Sequence, residues 1–468
     1  MATQAAGRER ATTLTATKPE SLLPALASKL AAWTAEQPPH ILLFSLSKHL
    51  PRAVLSEAVD MLHHRDVRAH ARVGFLSSSL PASVAYDDAA GMEHLHAISL
   101  ASIPETRGVA FRSTIPGAAR VSVGRWPNQK ETWNKGTEMR SDRLDQSGGR
   151  DWRGLWGKEN VDLRLPDQLN ELDPSSVRAL LFATDAQAHG LLEGLDAHFS
   201  QANLLGMSAT LTPFETGREH TLFYDAPLHA RTIHDSGAVG VALCGTASSS
   251  IERIFEQLQP IGPRLEVTGA RGNIISTLDN YNAAQQFLRL ILNKNPAPSD
   301  ASTMEATQVR ELSSAVRKED QFYVGLFEKN AEQADATPAL VAQIISGHPM
   351  RGTLSVATEA ELGLPPDAPD SSKVQRWAQF YRPSPTPLRA ITAPAGSVRY
   401  VFLATPNDSS IPVSLDPSAK VAVAHGQGAL ELPDVFLAAS EHGWLARQGG
   451  GTTYACSAPY ARASLCDV

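Results

Sequence analysis

The first recurring pattern along the chain is a short apolar run, then an amphipathic helical segment, then a second apolar run. Residues 41–46 (Ile-Leu-Leu-Phe-Ser-Leu) have the length and composition of a buried strand. Pro51 opens a helix predicted over 51–64, because the first turn of a helix does not need the missing N–H. A further strand is predicted at 73–78. The pattern therefore predicts one strand–helix–strand unit.

A second unit of the same kind follows later in the chain. Its strand is predicted at 179–183, its helix at 186–199 and its closing strand at 204–208. Both units begin with Leu-Leu-Phe and end in a strand that reaches Gly and then Ser. Each unit is expected to be a right-handed parallel crossover. We therefore predict an α/β fold, with mixed β-sheets flanked by helices and arranged in two related halves.

The remaining segments suggest the domain boundaries. Residues 1–18 are rich in Thr and Ala and are predicted to form a disordered tail. Residues 19–293 form a predicted first domain, in which 128–160 has neither helical nor strand periodicity and is interpreted as a loop insertion. A linker is predicted at 294–320, and a mostly β second domain at 321–468.

Composition narrows the class of function. The 468 residues carry a net charge of −7, only 6% are aromatic, and no basic cluster occurs, so a nucleic-acid partner is not expected. No stretch approaches the ~20 apolar residues of a membrane helix, so no membrane partner is expected either. Three cysteines without a CxxC pair fit reduced thiols in the cytoplasm. Basic residues among 1–18 leave a mitochondrial location as the alternative.

The candidate ligand-binding residues lie at strand ends and turns. Ser77, Ser78 and Ser79 follow the second strand of the first unit, where hydroxyls can bind a ligand or the turn backbone. Gly206 and Ser208 occupy the corresponding strand of the second unit, and a glycine there would let a ligand approach the backbone.

Three further candidates lie in turns. Arg271 follows Gly269 in a predicted hairpin and could reach an anionic ligand, while Gly347 and His348 form part of a Gly-His-Pro turn. We found no complete catalytic or metal-binding constellation and predict no catalytic residue, no metal and no cofactor. An enzymatic role is not expected, although it stays open.

One block of sequence resembles a known family. The string 237–245, Gly-Ala-Val-Gly-Val-Ala-Leu-Cys-Gly, is similar to a strand of FIST domains. The motifs that follow it, Ile-Gly-Pro-Arg, Val-Thr-Gly-Ala, Gly-Asn-Ile-Ile and Leu-Asp-Asn-Tyr-Asn-Ala-Ala, keep the family's order up to residue 284. Residues 344–356 resemble the start of the C-terminal FIST half, with His348 where an acidic residue is usual.

The resemblance implies recognition rather than chemistry. FIST domains are known as sensory modules in bacterial signalling proteins, thought to bind small molecules such as amino acids. A FIST region also occurs in an F-box subunit of a ubiquitin ligase, where it recruits protein substrates. The chain resembles a free-standing FIST protein of the eukaryotic type, related to that region.

Three functions are consistent with these observations. The first is a non-enzymatic sensory protein that binds a small, amino-acid-like molecule in intracellular signalling. The second is an interaction scaffold or substrate receptor linked to ubiquitin pathways, with 128–160 as the contact surface for a protein partner. The third is an enzyme that depends on a Ser or Cys residue.

Overall fold

The structure is a computed structural model. It describes residues 8–36, 40–64, 67–81, 94–115, 164–226, 229–292, 321–328, 337–348, 352–358, 362, 376–384, 391–406, 428–451 and 453–467. The predicted insertion 128–160 and the predicted linker 294–320 lie outside these ranges. The described residues form several mixed sheets and a few helices, so the predicted α/β class is confirmed.

The elements are numbered in chain order. The strands are β1 (Arg10–Ala16), β2 (His40–Ser47), β3 (Ala69–Ser77), β4 (Leu80–Pro81), β5 (His94–Pro104), β6 (Gly108–Ser113), β7 (Val177–Thr184), β8 (Asn203–Ser208), β9 (Leu222–Ala226), β10 (His229–His234), β11 (Ala238–Cys244), β12 (Ser249–Ile254), β13 (Leu258–Arg271), β14 (Ile274–Leu278), β15 (Tyr281–Asn282), β16 (Tyr323–Glu328), β17 (Leu340–His348), β18 (Thr353–Val356), β19 (Arg376–Pro383), β20 (Val398–Ala404), β21 (Leu430–Pro433), β22 (Val435–Ser440), β23 (Trp444–Arg447), β24 (Tyr454–Cys456) and β25 (Arg462–Asp467). The α-helices are α1 (Leu22–Glu36), α2 (Arg52–Leu62), α3 (Asp167–Asn170), α4 (His189–His198), α5 (Pro213–Thr216) and α6 (Ala283–Ile291).

The described strands form four sheets. An eight-stranded sheet has the order β10-β9-β3-β2-β5-β1-β21, with β4 paired to β5. A six-stranded sheet has the order β24-β23-β8-β7-β11-β6, and a four-stranded sheet has the order β12-β25-β20-β22. A seven-stranded sheet runs β13-β19-β16-β17-β18-β14-β15 and closes on itself, because the long β13 also pairs with β14.

Both predicted strand–helix–strand units are present. β2 and β3 are parallel neighbours joined through α2, and β7 and β8 are parallel neighbours joined through α4. A third parallel pair, β20 and β22, belongs to the four-stranded sheet. Strands on both sides of the predicted linker share sheets, since β21 pairs with β1, β23 with β8 and β25 with β12. The C-terminal strands therefore complete sheets that the N-terminal strands begin.

A central core joins all four sheets, and the seven-stranded sheet contributes Tyr323 and Val341 to it. The core also contains Val73 and Phe75 from the eight-stranded sheet, Met207 from the six-stranded sheet, and Phe402 and Phe436 from the four-stranded sheet. The outer face of the eight-stranded sheet packs on α1 and α2, and that of the six-stranded sheet packs on α3 and α4. Both faces of β2 and β7 are therefore buried, which explains why these strands are continuous apolar runs rather than alternating ones.

The N-terminal residues differ from the predicted tail. β1 lies inside the eight-stranded sheet, between β5 and β21, and its side chains are buried from residue 11 to residue 16. The Thr13 hydroxyl donates to the carbonyl of Val435 (2.8 Å) and lies 3.0 Å from the Ser99 hydroxyl. A threonine can be buried in a strand when its hydroxyl has a hydrogen-bond partner. The burial of 10–16 as a strand therefore depends on partners far along the chain.

Within the described residues, no helix is long and apolar enough to cross a membrane.

The Leu-Leu-Phe start and the Gly end of the two units have a shared structural cause. Phe44 pairs with Gly74, and Phe182 pairs with Gly206, at equivalent positions of the two parallel strand pairs. A Cβ atom on Gly74 would lie 2.3 Å from the Phe44 ring, and one on Gly206 would lie 2.4 Å from the Phe182 ring. Each phenylalanine ring therefore covers the glycine of the neighbouring strand.

Substitution of Gly206 by Ala is expected to destabilise the protein by about 1–3 kcal/mol, because the new methyl group overlaps a fixed ring in a packed core. Urea unfolding measures the change. Gly428→Ala is the control, since no atom lies within 4 Å of the Cβ position there. In a Phe182→Leu background the cost of Gly206→Ala should shrink; an equal cost in both backgrounds would show that the ring is not the cause.

Candidate functional site

The carboxyl ends of the three parallel strand pairs meet at one place. The backbone N–H of Ser78, directly after β3, donates to the carbonyl of Ala439 in β22 (2.8 Å). The N–H of Ser208, at the end of β8, donates to the carbonyl of Gly443 (3.1 Å), and the Ser440 hydroxyl donates to the carbonyl of Ser208 (2.5 Å). The region outside the carboxyl ends of parallel strands is where α/β proteins commonly bind ligands.

Glu441 lies at the centre of this junction, in the turn after β22. Its carboxylate accepts hydrogen bonds from the Ser78 hydroxyl (2.5 Å), the Thr210 hydroxyl (2.6 Å) and the backbone N–H of Leu211 (3.1 Å). The Lys48 ammonium group lies 3.1 Å from the same carboxylate. We call Lys48, Ser78, Thr210, Leu211 and Glu441 the Glu441 cluster. Its members come from loops after β2, β3, β8 and β22.

The electrostatics of the cluster favour an ionised Glu441. Burial by itself raises the pKa of this carboxyl group, but the hydrogen bonds from Ser78 and Thr210 and the charge of Lys48 outweigh it, and the pKa falls from 4.5 to about 2. The side chains of Lys48 and Glu441 are 12% and 10% exposed. The site therefore holds one positive and one negative group, nearly buried, at neutral pH.

Histidines surround the cluster. His442 lies 3.9 Å from the Glu441 carboxylate, and His49 Nδ1 lies 3.1 Å from the Ser79 hydroxyl. Burial and the nearby charge of His49 lower the pKa of His96, which projects from the start of β5. Within the described ranges, no group of three or more His, Cys, Asp or Glu side chains is placed to hold a metal ion.

The loop after β8 carries two members of the cluster and a group of hydrogen-bonded threonines. The Thr212 and Thr216 hydroxyls each lie 2.7 Å from the Thr221 hydroxyl, and Thr212 and Thr221 are buried. α5, the short helix in this loop, begins at Pro213, where its fixed φ favours a helical start. The Phe214 side chain on α5 is 98% exposed.

The structure places the three predicted serines and Ser208 at or beside the junction. Ser78 is in the cluster, and Ser79 contacts His49. Ser77 accepts from Ser45 (2.8 Å), so its hydroxyl bonds inside the eight-stranded sheet. Ser208 contributes its backbone to the junction, through its N–H and its carbonyl.

Gly206 has a packing role in the structure. It lies inside β8 under the Phe182 ring, so the space over its backbone is filled. The expected backbone approach by a ligand at Gly206 is therefore blocked from that face by the ring.

The other three predicted residues lie in the seven-stranded sheet. Arg271 ends β13, pairs with Ile274 of β14 and is exposed. Gly347 and His348 end β17 and pair with Leu354 and Thr353. The Glu441 cluster draws its residues from the ends of strands in the other three sheets. The predicted residues thus lie in three places: Ser77, Ser78, Ser79 and Ser208 at the junction, Gly206 inside β8, and the remaining three in the seven-stranded sheet.

Sequence reasoning missed Lys48, Thr210 and Glu441. A usable signal exists for each, because each follows a short buried apolar strand within four residues of its end. In two of the three parallel strand pairs, one strand is followed directly by a charged residue and then a histidine. These are Lys48-His49 after β2 and Glu441-His442 after β22. Charged and polar residues directly after such strands are therefore candidate ligand-binding residues in the same way as the serines.

Two of the three cysteine side chains, Cys244 and Cys456, do not favour nucleophilic chemistry. Burial raises the pKa of Cys244, and it raises the pKa of Cys456 to about 12. The reactive form of cysteine is the thiolate, so both side chains are protonated at neutral pH.

Comparison with known families identifies part of the chain. Residues 115–281 match the FIST N domain family. The chain contains a FIST N domain. The matched residues include β7, β8 and β11 of the six-stranded sheet and the loop that holds Thr210 and Phe214. A comparison with curated proteins found no match.

The FIST N domain supplies only part of the Glu441 cluster. Thr210 and Leu211 lie inside the matched range, whereas Lys48, Ser78 and Glu441 lie outside it. The match also supports the resemblance read from 237–284 in the sequence. The C-terminal FIST half and the relationship to an F-box subunit stay predictions.

Proposed function

We propose that this protein is a sensory protein that binds a small zwitterion of the amino-acid type at the Glu441 cluster. The single observation that carries the proposal is the Lys48–Glu441 pair, with its two charges 3.1 Å apart, nearly buried, at the carboxyl ends of three parallel strand pairs. FIST domains are associated with sensing or binding small ligands in signalling, which supports a recognition role.

The two charged groups of a zwitterion could replace the contact between Lys48 and Glu441 with one ion pair to each side chain. An ammonium group of the ligand would compete with Lys48 for the Glu441 carboxylate, and the released Lys48 would bind the ligand's carboxylate. One internal ion pair is replaced by two intermolecular pairs, so no charge is left buried without a partner. A ligand with a single charge would leave one side chain unpaired and should bind more weakly.

Titration calorimetry with a panel of free amino acids tests the proposal, each compared with its N-acetyl and its amide derivative. At least one free amino acid should bind, and loss of either charge should weaken it by about tenfold or more, or about 1.4 kcal/mol. Equal binding of the parent and both derivatives would rule out charge-pair recognition, and no binding by any free amino acid would reject the proposal.

Two substitutions test whether the ligand binds at the Glu441 cluster. Glu441→Gln and Lys48→Met should each weaken binding by about tenfold or more, because each removes one partner of the ligand. Glu431→Gln is the matched control, since Glu431 pairs with Lys29 at 2.6 Å on a more exposed surface. Binding that survives both cluster substitutions would place the ligand elsewhere.

A protein-interaction role has its own supporting observation. The predicted contact surface at 128–160 lies outside the described residues, but Phe214 is a fully exposed aromatic side chain beside the cluster. Exposed aromatic residues on rigid supports are common binding anchors.

A further inference from the structure

The loop between β8 and β9 is attached to the Glu441 cluster through the backbone of Leu211. The Leu211 N–H donates to Oε1 of Glu441 (3.1 Å), and the Leu211 carbonyl lies 3.5 Å from the Lys48 ammonium group. Lys48 and Glu441 also contact each other, at 3.1 Å. Both charged side chains of the cluster therefore bond to the backbone of one loop residue.

The Glu441 carboxylate is already occupied by donors. Its Oε1 atom accepts from the Leu211 N–H and the Thr210 hydroxyl (2.6 Å) and also contacts Lys48. Its Oε2 atom accepts from the Ser78 hydroxyl (2.5 Å) and from Thr210. A carboxylate has about four lone-pair positions, and these donors occupy them. An incoming ammonium group can therefore bind only by displacing donors that are present.

The displaced donors are Lys48 and Leu211. A ligand ammonium group that takes the place of Lys48 removes the donor from the Leu211 carbonyl. The Leu211 N–H is uncharged, and its bond to the carboxylate is longer than those of the two hydroxyls. Charged donors bind a carboxylate more strongly than neutral donors do. The ammonium protons therefore displace the Leu211 N–H first, and the backbone of this residue loses both of its contacts with the cluster.

The residues after Leu211 form one hydrogen-bonded unit, which we call the 212–221 unit. The Thr212 N–H donates to the carbonyl of Glu219 (2.9 Å), and the Thr212 and Thr221 hydroxyls lie 2.7 Å apart. The Thr221 carbonyl accepts from the N–H of Leu76 in β3 (3.1 Å), which attaches this end to the eight-stranded sheet. The unit is therefore expected to move as one body about its attachment at Thr221.

We infer that the 212–221 unit is the ligand-responsive element of this protein. A bound amino acid takes over the partners of Leu211, and the unit then detaches from the Glu441 cluster. This inference rests on the proposed function and names how binding changes the protein. The unit carries Phe214, whose side chain is 98% exposed, so occupancy of a nearly buried site changes the position of a surface residue.

Hydrogen–deuterium exchange of peptides that cover 209–221, measured by mass spectrometry, tests the inference in the wild-type protein. Each free amino acid that binds in the calorimetric panel should raise the exchange rate of these peptides by about tenfold or more, because a hydrogen bond to a charged group is lost. The N-acetyl derivative of the same amino acid is the control and should leave the rate unchanged. Peptides that cover β7 report global unfolding, and their rate should not rise.

Glu441→Gln tests the attachment without any ligand. Its neutral amide oxygen binds the Leu211 N–H more weakly, so the exchange rate in 209–221 should rise by about tenfold or more beyond any change in β7. An added amino acid should raise it no further. Glu431→Gln is the matched control, since Glu431 pairs with Lys29 rather than with the loop, and it should exchange like the wild type.

The outcomes separate this inference from the proposed function. An amino acid that binds by calorimetry but leaves the exchange rate in 209–221 unchanged, or lowers it, overturns the inference and leaves the proposed function standing. An unchanged rate in Glu441→Gln also overturns the inference, because the carboxylate then does not hold the loop. If no free amino acid binds, the proposed function and the ligand-driven release fail together, whereas a raised rate in Glu441→Gln still shows that the carboxylate holds the loop.

Discussion

Glu441→Gln is expected to lower the free energy of unfolding at pH 7 by about 2–3 kcal/mol. The folded protein holds the pKa of this carboxyl group at about 2, against an ordinary value of 4.5, so the ionised form binds its partners more strongly than the protonated form does. A pKa lowered by folding stabilises the protein above about pH 4.5. That contribution is lost as the pH falls from about 4.5 to about 2.

Urea unfolding of both proteins from pH 7 to pH 2.5 measures this contribution. Many carboxylates titrate in that range, so the informative quantity is the difference in stability between wild type and Glu441→Gln, which should narrow as the pH falls. Glu431→Gln serves as control, and its difference from wild type should be small and nearly constant, because its carboxylate is more exposed. If the difference in stability between wild type and Glu441→Gln stays constant with pH, the substitution destabilises the protein for steric rather than electrostatic reasons.

Glu9→Ala is expected to cost about 3–5 kcal/mol of stability, the range seen when one partner of a buried ion pair is removed. The Glu9 side chain is 3% exposed and accepts a hydrogen bond from the Arg178 guanidinium group of β7, which is 5% exposed. Arg107 lies 3.9 Å from the same carboxylate, and the Tyr400 hydroxyl of β20 lies 3.5 Å from its other oxygen. Loss of this carboxylate leaves the Arg178 charge buried.

The double variant Glu9→Gln with Arg178→Met distinguishes charge from packing. It removes both charges and keeps much of the volume, so it should be more stable than Glu9→Ala despite carrying two changes. Glu105→Gln is the control, because Glu105 pairs with His70 at an exposed position. Urea unfolding at pH 7 measures all three. A double variant less stable than Glu9→Ala would mean that the ion pair itself stabilises the fold.

The same residue shows where sequence reasoning failed. The Thr- and Ala-rich composition of residues 1–18 predicts a tail, because a short segment of this kind carries a weak local signal for a strand. In the structure, the buried Glu9 carboxylate joins the residues before β1 to β7 and β20. These partners lie 169 and 391 residues away in sequence. No local pattern can show that an acidic residue and five small side chains are covered by strands so far along the chain.

The strand–helix–strand units, by contrast, were predictable from local sequence. β2 and β7 are apolar on both faces because helices cover one side and the central core covers the other, and this double burial leaves a continuous apolar run. The correspondence of Phe and Gly between the two units is visible in the sequence as a repeated pattern of residues. Its cause, a ring lying over the glycine of the next strand, is visible only in the paired register.

The sequence by itself therefore determined the fold class, the two parallel units and the FIST-like block around 237–284, since each depends on residues close together in the chain. Only the tertiary structure decided that β3, β8 and β22 end at one place. Their positions are set by sheet pairing and by burial of a core shared among four sheets. That packing brings Glu441 to Ser78 and Lys48, which lie 363 and 393 residues away, and so creates a charged site that no segment contains alone.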